Sequence, residues 1–242
     1  MKAKLRNTII FTVIGLIAGF ITVAYQVNFL SPENLEMLLE QAGSVTVLYI
    51  VTSIQVGIYA GLSSFIGQFL IEKVSFKLFP SWNTLAFIKA IIIGLFSGAF
   101  IVLMDVYVFS EFLPSAEGEY QINVLYLFSG LLYGGIVEEL MIRLFLLTFT
   151  VVILNKVSKL KSDVITWIAI IITSVIFAAG HLPAAILTLG SDFVIIIRVM
   201  ILNFIPGILF GYIYTKHGLL YSMSAHMFSH VFMQLVFLPL FV

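Results

Sequence analysis

The sequence contains no cysteine, which excludes disulfide bonds, thiolate metal sites and a cysteine nucleophile. Charged residues are scarce as well: they make up 10% of the chain, whereas soluble domains carry about 25%. The 12 basic and 12 acidic residues give a net charge of zero, so no basic excess is present to hold a polyanion. This composition excludes a soluble enzyme, a disordered protein and a nucleic-acid-binding protein.

Hydrophobic residues make up 61% of the chain, and the mean hydropathy is +1.15. A spanning helix needs about 20 apolar residues, so 242 residues allow roughly seven or eight spans. The apolar runs are too long for barrel strands and show no period-two alternation. We therefore predict an all-α fold, a polytopic transmembrane helical bundle in a single integral membrane domain. The predicted spans lie near residues 8–30, 44–71, 84–110, 124–154, 164–188, 193–215 and 219–240.

The charges between the spans alternate in sign from loop to loop. By the positive-inside rule, this pattern predicts a cytoplasmic N-terminus and a C-terminus outside. The first apolar run is too long for a signal peptide, so we expect it to remain as a span. The basic group comprises Lys2, Lys4, Arg6, Lys73, Lys77, Lys156, Lys159, Lys161 and Lys216. The acidic group comprises Glu33, Glu36, Glu40, Glu111, Glu117, Glu119 and Asp192.

Glycines recur four residues apart in five of the predicted spans. Lipid supplies no hydrophobic drive between helices, so small residues that permit close backbone approach are a means of packing. Five such pairs together favour a compact bundle rather than a loose set of anchors. The pairs are Gly15/Gly19, Gly57/Gly61, Gly94/Gly98, Gly130/Gly134 and Gly207/Gly211.

Few ionisable residues fall inside the predicted spans. An Asp, Lys or Arg at a helix centre costs about 2.5–3.5 kcal/mol on insertion scales, so such residues point to function. We interpret Asp105 and Arg198 as helix-end anchors and His217 as a solvated loop residue. Apart from Lys89, whose long side chain can reach back to the cytoplasmic face, the set within the spans is Asp105, Glu138, Glu139, Arg143, His181, Arg198, His226 and His230.

Two adjacent carboxylates and an arginine lie in the fourth predicted span. Glu139 and Arg143 are i and i+4, which places them on one helix face with the acid N-terminal to the base. Glu138 points about 100° away. This geometry predicts that Arg143 neutralises Glu139, whereas Glu138 faces another group and suits a general base. The alternative is a buried ion-pair network that only fixes helix packing.

Three histidines lie in two later spans. His181 follows Phe177 by one turn and precedes Pro183, which interrupts the helix. A histidine of this kind, taken alone, is more often an interfacial or hydrogen-bonded core residue, and the other ionisable residues favour a functional role. His226 and His230 are i and i+4, a spacing that suits metal chelation or donation to a developing oxyanion.

The depths of these groups do not match on straight helices. His181 is expected about 26 Å from the cytoplasmic start of its span, and His230 about 17 Å from the start of its own. They can meet only if the fifth span tilts or the Pro183 segment dips into the bundle. A carboxylate, an arginine and three imidazoles would then suit the activation of water against a carbonyl.

Three ordered motifs resemble those of the CPBP family, the CAAX proteases and bacteriocin-processing enzymes. They are Glu138-Glu139-x-x-x-Arg143, Phe177-x-x-x-His181 and His226-x-x-x-His230, and the resemblance covers about residues 124–235, the motif-bearing core. It implies that Glu138 and His181 polarise the attacking water, that Glu139 and Arg143 support the site, and that His226 and His230 stabilise the tetrahedral intermediate. The family usually has Asn or Asp where this chain has His230. Water activation without a metal is favoured, with a divalent ion such as zinc left open.

We therefore expect a multi-pass protein of a bacterial-type cell membrane that cleaves a membrane-associated peptide or protein. The first alternative is an inactive relative that acts in bacteriocin immunity or as a membrane scaffold. The second alternative is a proton-coupled transporter, because a proton relay uses the same residue types.

Overall fold

The structure is a computed structural model that describes residues 1–113 and 121–242. Glu117 and Glu119, which we assigned to an acidic loop, lie outside the described residues. Within these two ranges the regular elements are all helical. The α-helices are α1 (Lys2–Phe29), α2 (Pro32–Ala42), α3 (Val45–Leu70), α4 (Thr84–Met104), α5 (Val124–Ser129), α6 (Thr148–Val157), α7 (Ser162–Gly180), α8 (Leu182–Leu189), α9 (Phe193–His217), α10 (Leu219–Phe232) and α11 (Leu238–Phe241). Turns of 3₁₀ helix occur at Ile71–Lys73 and Ser110–Phe112, and π-helical segments at Asp105–Phe109, Gly130–Glu138, Leu140–Leu147 and Met233–Phe237.

Six helical stretches of the described chain are long and apolar enough to cross a membrane. The fourth predicted span is helical as well, because residues 124–157 form one uninterrupted run through α5, two π-helical segments and α6. Apolar side chains such as Ile54, Ile92 and Ile171 are about half exposed on the outside of the bundle. The predicted all-α polytopic bundle is confirmed, and the chain is a multi-pass integral membrane protein.

Two element boundaries differ from the sequence prediction. The first helix begins at Lys2 rather than near residue 8, so the N-terminal basic residues lie within it. His217, expected in a loop, is the last residue of α9. Charged residues at a helix end escape a search for apolar runs, since they extend the helix beyond its lipid-facing part.

The acidic segment after α1 contains a short helix, α2, that the sequence analysis missed. The Ser31 hydroxyl accepts a hydrogen bond from the Asn34 N–H, Pro32 begins the first turn, and Gly43 ends the helix with φ of 80°. None of its residues is buried. Its three glutamates lower the local hydropathy, so a search for apolar runs assigns this segment to a loop. The capping residues at its two ends are the sequence signal for a helix.

The basic segments lie at one end of the bundle. Lys4 Nζ pairs with Glu72 at 2.8 Å, which joins the start of α1 to the segment after α3. The Leu219 N–H donates to the Lys77 carbonyl at 2.9 Å, which joins the same segment to the α9–α10 turn. This arrangement agrees with the sorting of charges, whereas the cytoplasmic N-terminus stays a prediction.

Glycine pairs lie at the helix contacts. A β-carbon on Gly15 of α1 would lie 2.8 Å from the Cβ of Ala60 in α3, and one on Gly207 of α9 would lie 3.1 Å from the Cβ of Ser174 in α7. A β-carbon on Gly94 of α4 would lie 2.8 Å from the Ala225 carbonyl oxygen in α10. The helices therefore approach each other more closely than side chains at these positions would permit.

We expect Gly94→Ala to destabilise the protein, because its β-carbon would meet the Cβ of Phe228 as well as the Ala225 carbonyl oxygen, and overpacking a close contact costs about 1–3 kcal/mol. Gly180→Ala is the matched control, since a β-carbon there meets nothing within 4 Å and alanine favours the helix. The measurement is the thermal unfolding midpoint in one detergent. Equal midpoints for the two variants would contradict the packing.

Candidate active site

A fully buried carboxylate, Glu139, lies at the centre of a polar network between the π-helical run and α10. Its Oε2 lies 3.5 Å from Nε of Arg143, one turn later, and accepts a hydrogen bond from the Ser222 hydroxyl. Its Oε1 lies 3.0 Å from Nδ1 of His226. A carboxylate accepts and does not donate, so Nδ1 of His226 carries a proton.

The guanidinium of Arg143 is enclosed on all sides. Only 1% of its side chain is exposed, and one of its terminal nitrogens donates to the Gly207 carbonyl at 3.1 Å. The ring centroids of Phe177 and Phe210 lie 4.7 and 5.7 Å from its central carbon, within range of cation–π attraction. The predicted pair of Glu139 and Arg143 thus forms inside the bundle.

Glu138 points away from this network into a cavity. Its Oε1 lies 3.8 Å from Nε2 of His181, and its Oε2 lies 3.9 Å from Nε2 of His226. Both distances exceed a direct hydrogen bond and suit a bridging water. The structure therefore brings three of the predicted residues together at the carboxylate that Arg143 does not neutralise.

His181 reaches Glu138 because the helix ends beside it. The His181 N–H donates to the Ala178 carbonyl at 3.1 Å, three residues before it, whereas an α-helical bond would reach the Phe177 carbonyl, four residues before it. This leaves the Phe177 carbonyl free to bond Nδ1 of His181 at 2.8 Å. Helix α8 then restarts with Pro183 in its first turn, so the fifth predicted span is two helices and His181 lies at the junction between them.

His230 lies beside His226 on α10. The two rings are stacked, with centroids 5.3 Å apart and an interplanar angle of 15°. A β-carbon on Gly134 would lie 2.6 Å from Nε2 of His230, so this glycine makes the space for the ring. Nδ1 of His230 is buried without a partner, and in the described chain no hydrogen bond or ion pair joins His230 to Glu138.

The cavity that Glu138 faces has a volume of about 380 Å³. Its lining includes the predicted residues Glu138, His181, His226 and His230, whereas Glu139 and Arg143 lie behind its wall. Away from Glu138 it extends past Asn203 and Arg198 of α9 to Thr22 of α1. Across the described residues, no group of three or more His, Asp or Glu is placed to hold a metal ion.

Asp105 and Arg198 are not separate helix-end anchors, as we had interpreted them. Both oxygens of Asp105 accept from the guanidinium of Arg198, at 2.7 and 2.6 Å. The two residues lie 93 positions apart, and neither belongs to a local motif that signals its partner. A bidentate ion pair therefore joins α9 to the π-helical segment that continues α4.

Sequence analysis also missed two residues of the site. Ser222 donates to Glu139, and the ring of Phe210 stacks on His226 at 4.5 Å. The position of Ser222 four residues before His226 signals a shared helix face. Phe210 carries no such signal, because it lies on a different helix from its partners.

We expect Arg143→Met to destabilise the protein by about 3–5 kcal/mol, because it leaves the buried Glu139 carboxylate without its cation. The double variant Glu139→Gln with Arg143→Met should recover part of that loss, since no buried charge then stands alone. The coupling free energy is measured by chemical unfolding, in one detergent, of the wild type, the two single variants Arg143→Met and Glu139→Gln, and the double variant. Strictly additive losses would show that the two side chains do not neutralise each other.

Comparison with known proteins bears on these motifs. The family model described as type II CAAX prenyl endopeptidase Rce1-like matches residues 120–232. Searches of curated proteins and of solved structures found no match. The match covers all three motifs and the helices that carry the cavity's ionisable groups. Over these residues the chain is similar to the type II CAAX prenyl endopeptidases that the model describes, which supports the resemblance of its three motifs to those of the CPBP family.

Proposed function

We propose that the chain is an intramembrane endopeptidase that hydrolyses a peptide bond of a membrane-associated peptide or protein, with Glu138 as general base. One observation carries this proposal. The two oxygens of Glu138 lie 3.8 and 3.9 Å from Nε2 of His181 and of His226, inside one cavity. Each spacing suits a water held between a carboxylate and an imidazole.

The hydrogen-bond roles of His181 favour water activation. Its Nδ1 donates to the Phe177 carbonyl, so the neutral ring presents an acceptor at Nε2. A water that donates one hydrogen to Glu138 and the other to Nε2 of His181 keeps an oxygen lone pair free for the scissile carbonyl. Glu138 takes the water proton as the carbon–oxygen bond forms, and the electron pair of the carbonyl moves to its oxygen.

His226 suits the stabilisation of that oxygen. Glu139 holds Nδ1 and provides the counter-charge for a ring protonated at both nitrogens. Nε2–H of this imidazolium then donates to the oxyanion. When the intermediate collapses, the carbon–nitrogen bond breaks, and the proton on Glu138 passes to the leaving amine.

His230 takes the family's usual Asn or Asp position, and its role is part of the proposal. Its ring lies against that of His226 and lines the same cavity, so an Nε2–H can add a second donor to the oxyanion. In that tautomer the buried Nδ1 is an unprotonated acceptor and needs no carboxylate partner. An imidazole thus replaces an amide as donor.

The walls of the cavity indicate the kind of substrate. Apolar side chains line part of it and suit the side chains of a hydrophobic peptide, whereas polar side chains lie around Glu138, along α9 and on α1. The apolar lining includes Ile101, Phe177, Val199, Leu202, Phe210 and Met233. We propose a lipid-anchored or hydrophobic peptide as the substrate, and the family description makes a prenylated CAAX peptide the first probe.

We expect Glu138→Gln to lower the cleavage of a quenched-fluorescent farnesylated CAAX peptide by at least about 100-fold, because a general base contributes 10²–10⁴-fold. His181→Ala should also lower cleavage. Both variants should insert and unfold like the wild type. The assay uses the full chain in lipid nanodiscs, with the unprenylated peptide as a second probe.

Glu36→Gln is the matched control, since it makes the same chemical change on the exposed face of α2. It should cleave at the wild-type rate. Unchanged cleavage in both Glu138→Gln and His181→Ala would contradict the catalytic assignment. A wild type that cleaves neither probe, yet binds them, would favour a relative that acts by binding alone.

A further inference from the structure

One face of α9 lines the cavity from Arg198 to Phe210. Arg198, Leu202, Pro206 and Phe210 follow one another at intervals of four residues, with Asn203 beside them, and all five line the cavity. The ring of Phe210 stacks on His226 at 4.5 Å. This face therefore leads directly to the proposed site of hydrolysis.

Pro206 exposes a backbone acceptor on that face. A proline inside a helix has no N–H to donate, and its ring displaces the carbonyl four residues earlier. That carbonyl belongs to Leu202, and both residues line the cavity. Inside a membrane, a backbone carbonyl without its helical donor needs a partner from the protein or from a cavity.

Asn203 places a second acceptor next to the first. Its side-chain nitrogen donates to the Val199 carbonyl at 2.8 Å, which fixes the orientation of the amide. Its Oδ1 accepts no hydrogen bond from the described residues, although the side chain lines the cavity. Two neighbouring residues of the cavity lining, Leu202 and Asn203, therefore each carry an oxygen that lacks a donor from the helix or from a side chain of the described residues.

The nearby cation is already paired. Both oxygens of Asp105 accept hydrogen bonds from the guanidinium of Arg198, so Arg198, which lines the cavity, is half of a neutral ion pair and not a free positive charge. A carboxylate ligand would have to break this bidentate pair. The available chemistry on α9 thus fits N–H donors better than anions.

We propose that Asn203 and the Leu202 carbonyl position the substrate by accepting hydrogen bonds from its backbone N–H groups, and this inference rests on the proposed function. Asn203 lies seven residues from Phe210, about 10 Å along the helix axis. An extended peptide covers that distance in about three residues. Backbone bonds of this kind secure an extended peptide without dictating its sequence, so side-chain selection falls to the apolar walls.

The test measures binding in a Glu138→Gln background, in which the probe is not consumed. The probes are a fluorescent farnesylated CAAX peptide and a series in which each backbone nitrogen in turn is methylated. Methylation of the nitrogen that bonds α9 should weaken binding about five- to tenfold, the value of one net hydrogen bond. Fluorescence polarisation in nanodiscs gives the affinities.

Two substitutions each remove one acceptor. Asn203→Leu keeps the side-chain volume and deletes the amide, whereas Pro206→Ala supplies the N–H that the Leu202 carbonyl lacks and restores the helical bond. The proposal is supported if, in either variant, methylation of the sensitive nitrogen no longer weakens binding. Thr215→Val is the control, because the Thr215 hydroxyl also donates to its own helix, at 3.0 Å to the Tyr212 carbonyl, and Thr215 is not among the residues that line the cavity. This variant should keep the full methylation penalty.

Retention of the full penalty in both variants would overturn the proposal, as would a peptide series with no sensitive position or no measurable binding. Matched unfolding midpoints show that each variant is folded. The binding assay does not use the catalytic step. A methylation pattern together with unchanged cleavage by Glu138→Gln would therefore count against the role of Glu138, whereas cleavage lost in Glu138→Gln with no methylation pattern would count against α9 alone.

Discussion

The burial of Glu139 with its three polar partners is the constraint on which the rest of the site depends. An unpaired carboxylate in the interior of a membrane bundle is costly, so Arg143, Ser222 and His226 must come from three separate points of the chain to meet it. Once they meet, the helix that carries Glu139 is fixed against α9 and α10. The adjacent Glu138 is then directed into the cavity, away from the guanidinium of Arg143. One carboxylate is neutralised, and its neighbour is left available for chemistry.

The local backbone permits two consecutive residues to face inward. On an ideal α-helix their directions differ by about 100°, yet Glu138 lines the cavity whereas Glu139 is wholly enclosed. Here π-helical segments, Gly130–Glu138 and Leu140–Leu147, lie on either side of Glu139. Wider helical turns of this kind are frequent at functional sites. Glycines of the first segment admit the ring of His230, so the same stretch supplies the carboxylates and the space for an imidazole.

Much of the fold and part of the site could be predicted from the sequence, because lipid imposes strong local patterns. Apolar runs marked the spans, glycine pairs marked the helix contacts, and the i, i+4 spacing joined Glu139 to Arg143. The break at His181 was signalled by Pro183, but its direction was not, since it depends on the turn that frees the Phe177 carbonyl. The pairing of Asp105 with Arg198 and the place of Phe210 depend on how distant helices pack. Helix α2 was missed because acidic residues hide a short exposed helix.

The central claim is that Glu138 and His181, from separate helices, meet in one water-accessible cavity within the membrane domain. The absence of cysteine makes a direct test possible: the double variant Glu138→Cys with His181→Cys, treated in membranes with dibromobimane, a short reagent that fluoresces strongly only when both of its ends have reacted with thiols. The account predicts strong fluorescence from the double variant and little from either single variant or from Ile92→Cys with His181→Cys. Fluorescence of the double variant no higher than that of the single variants would contradict it.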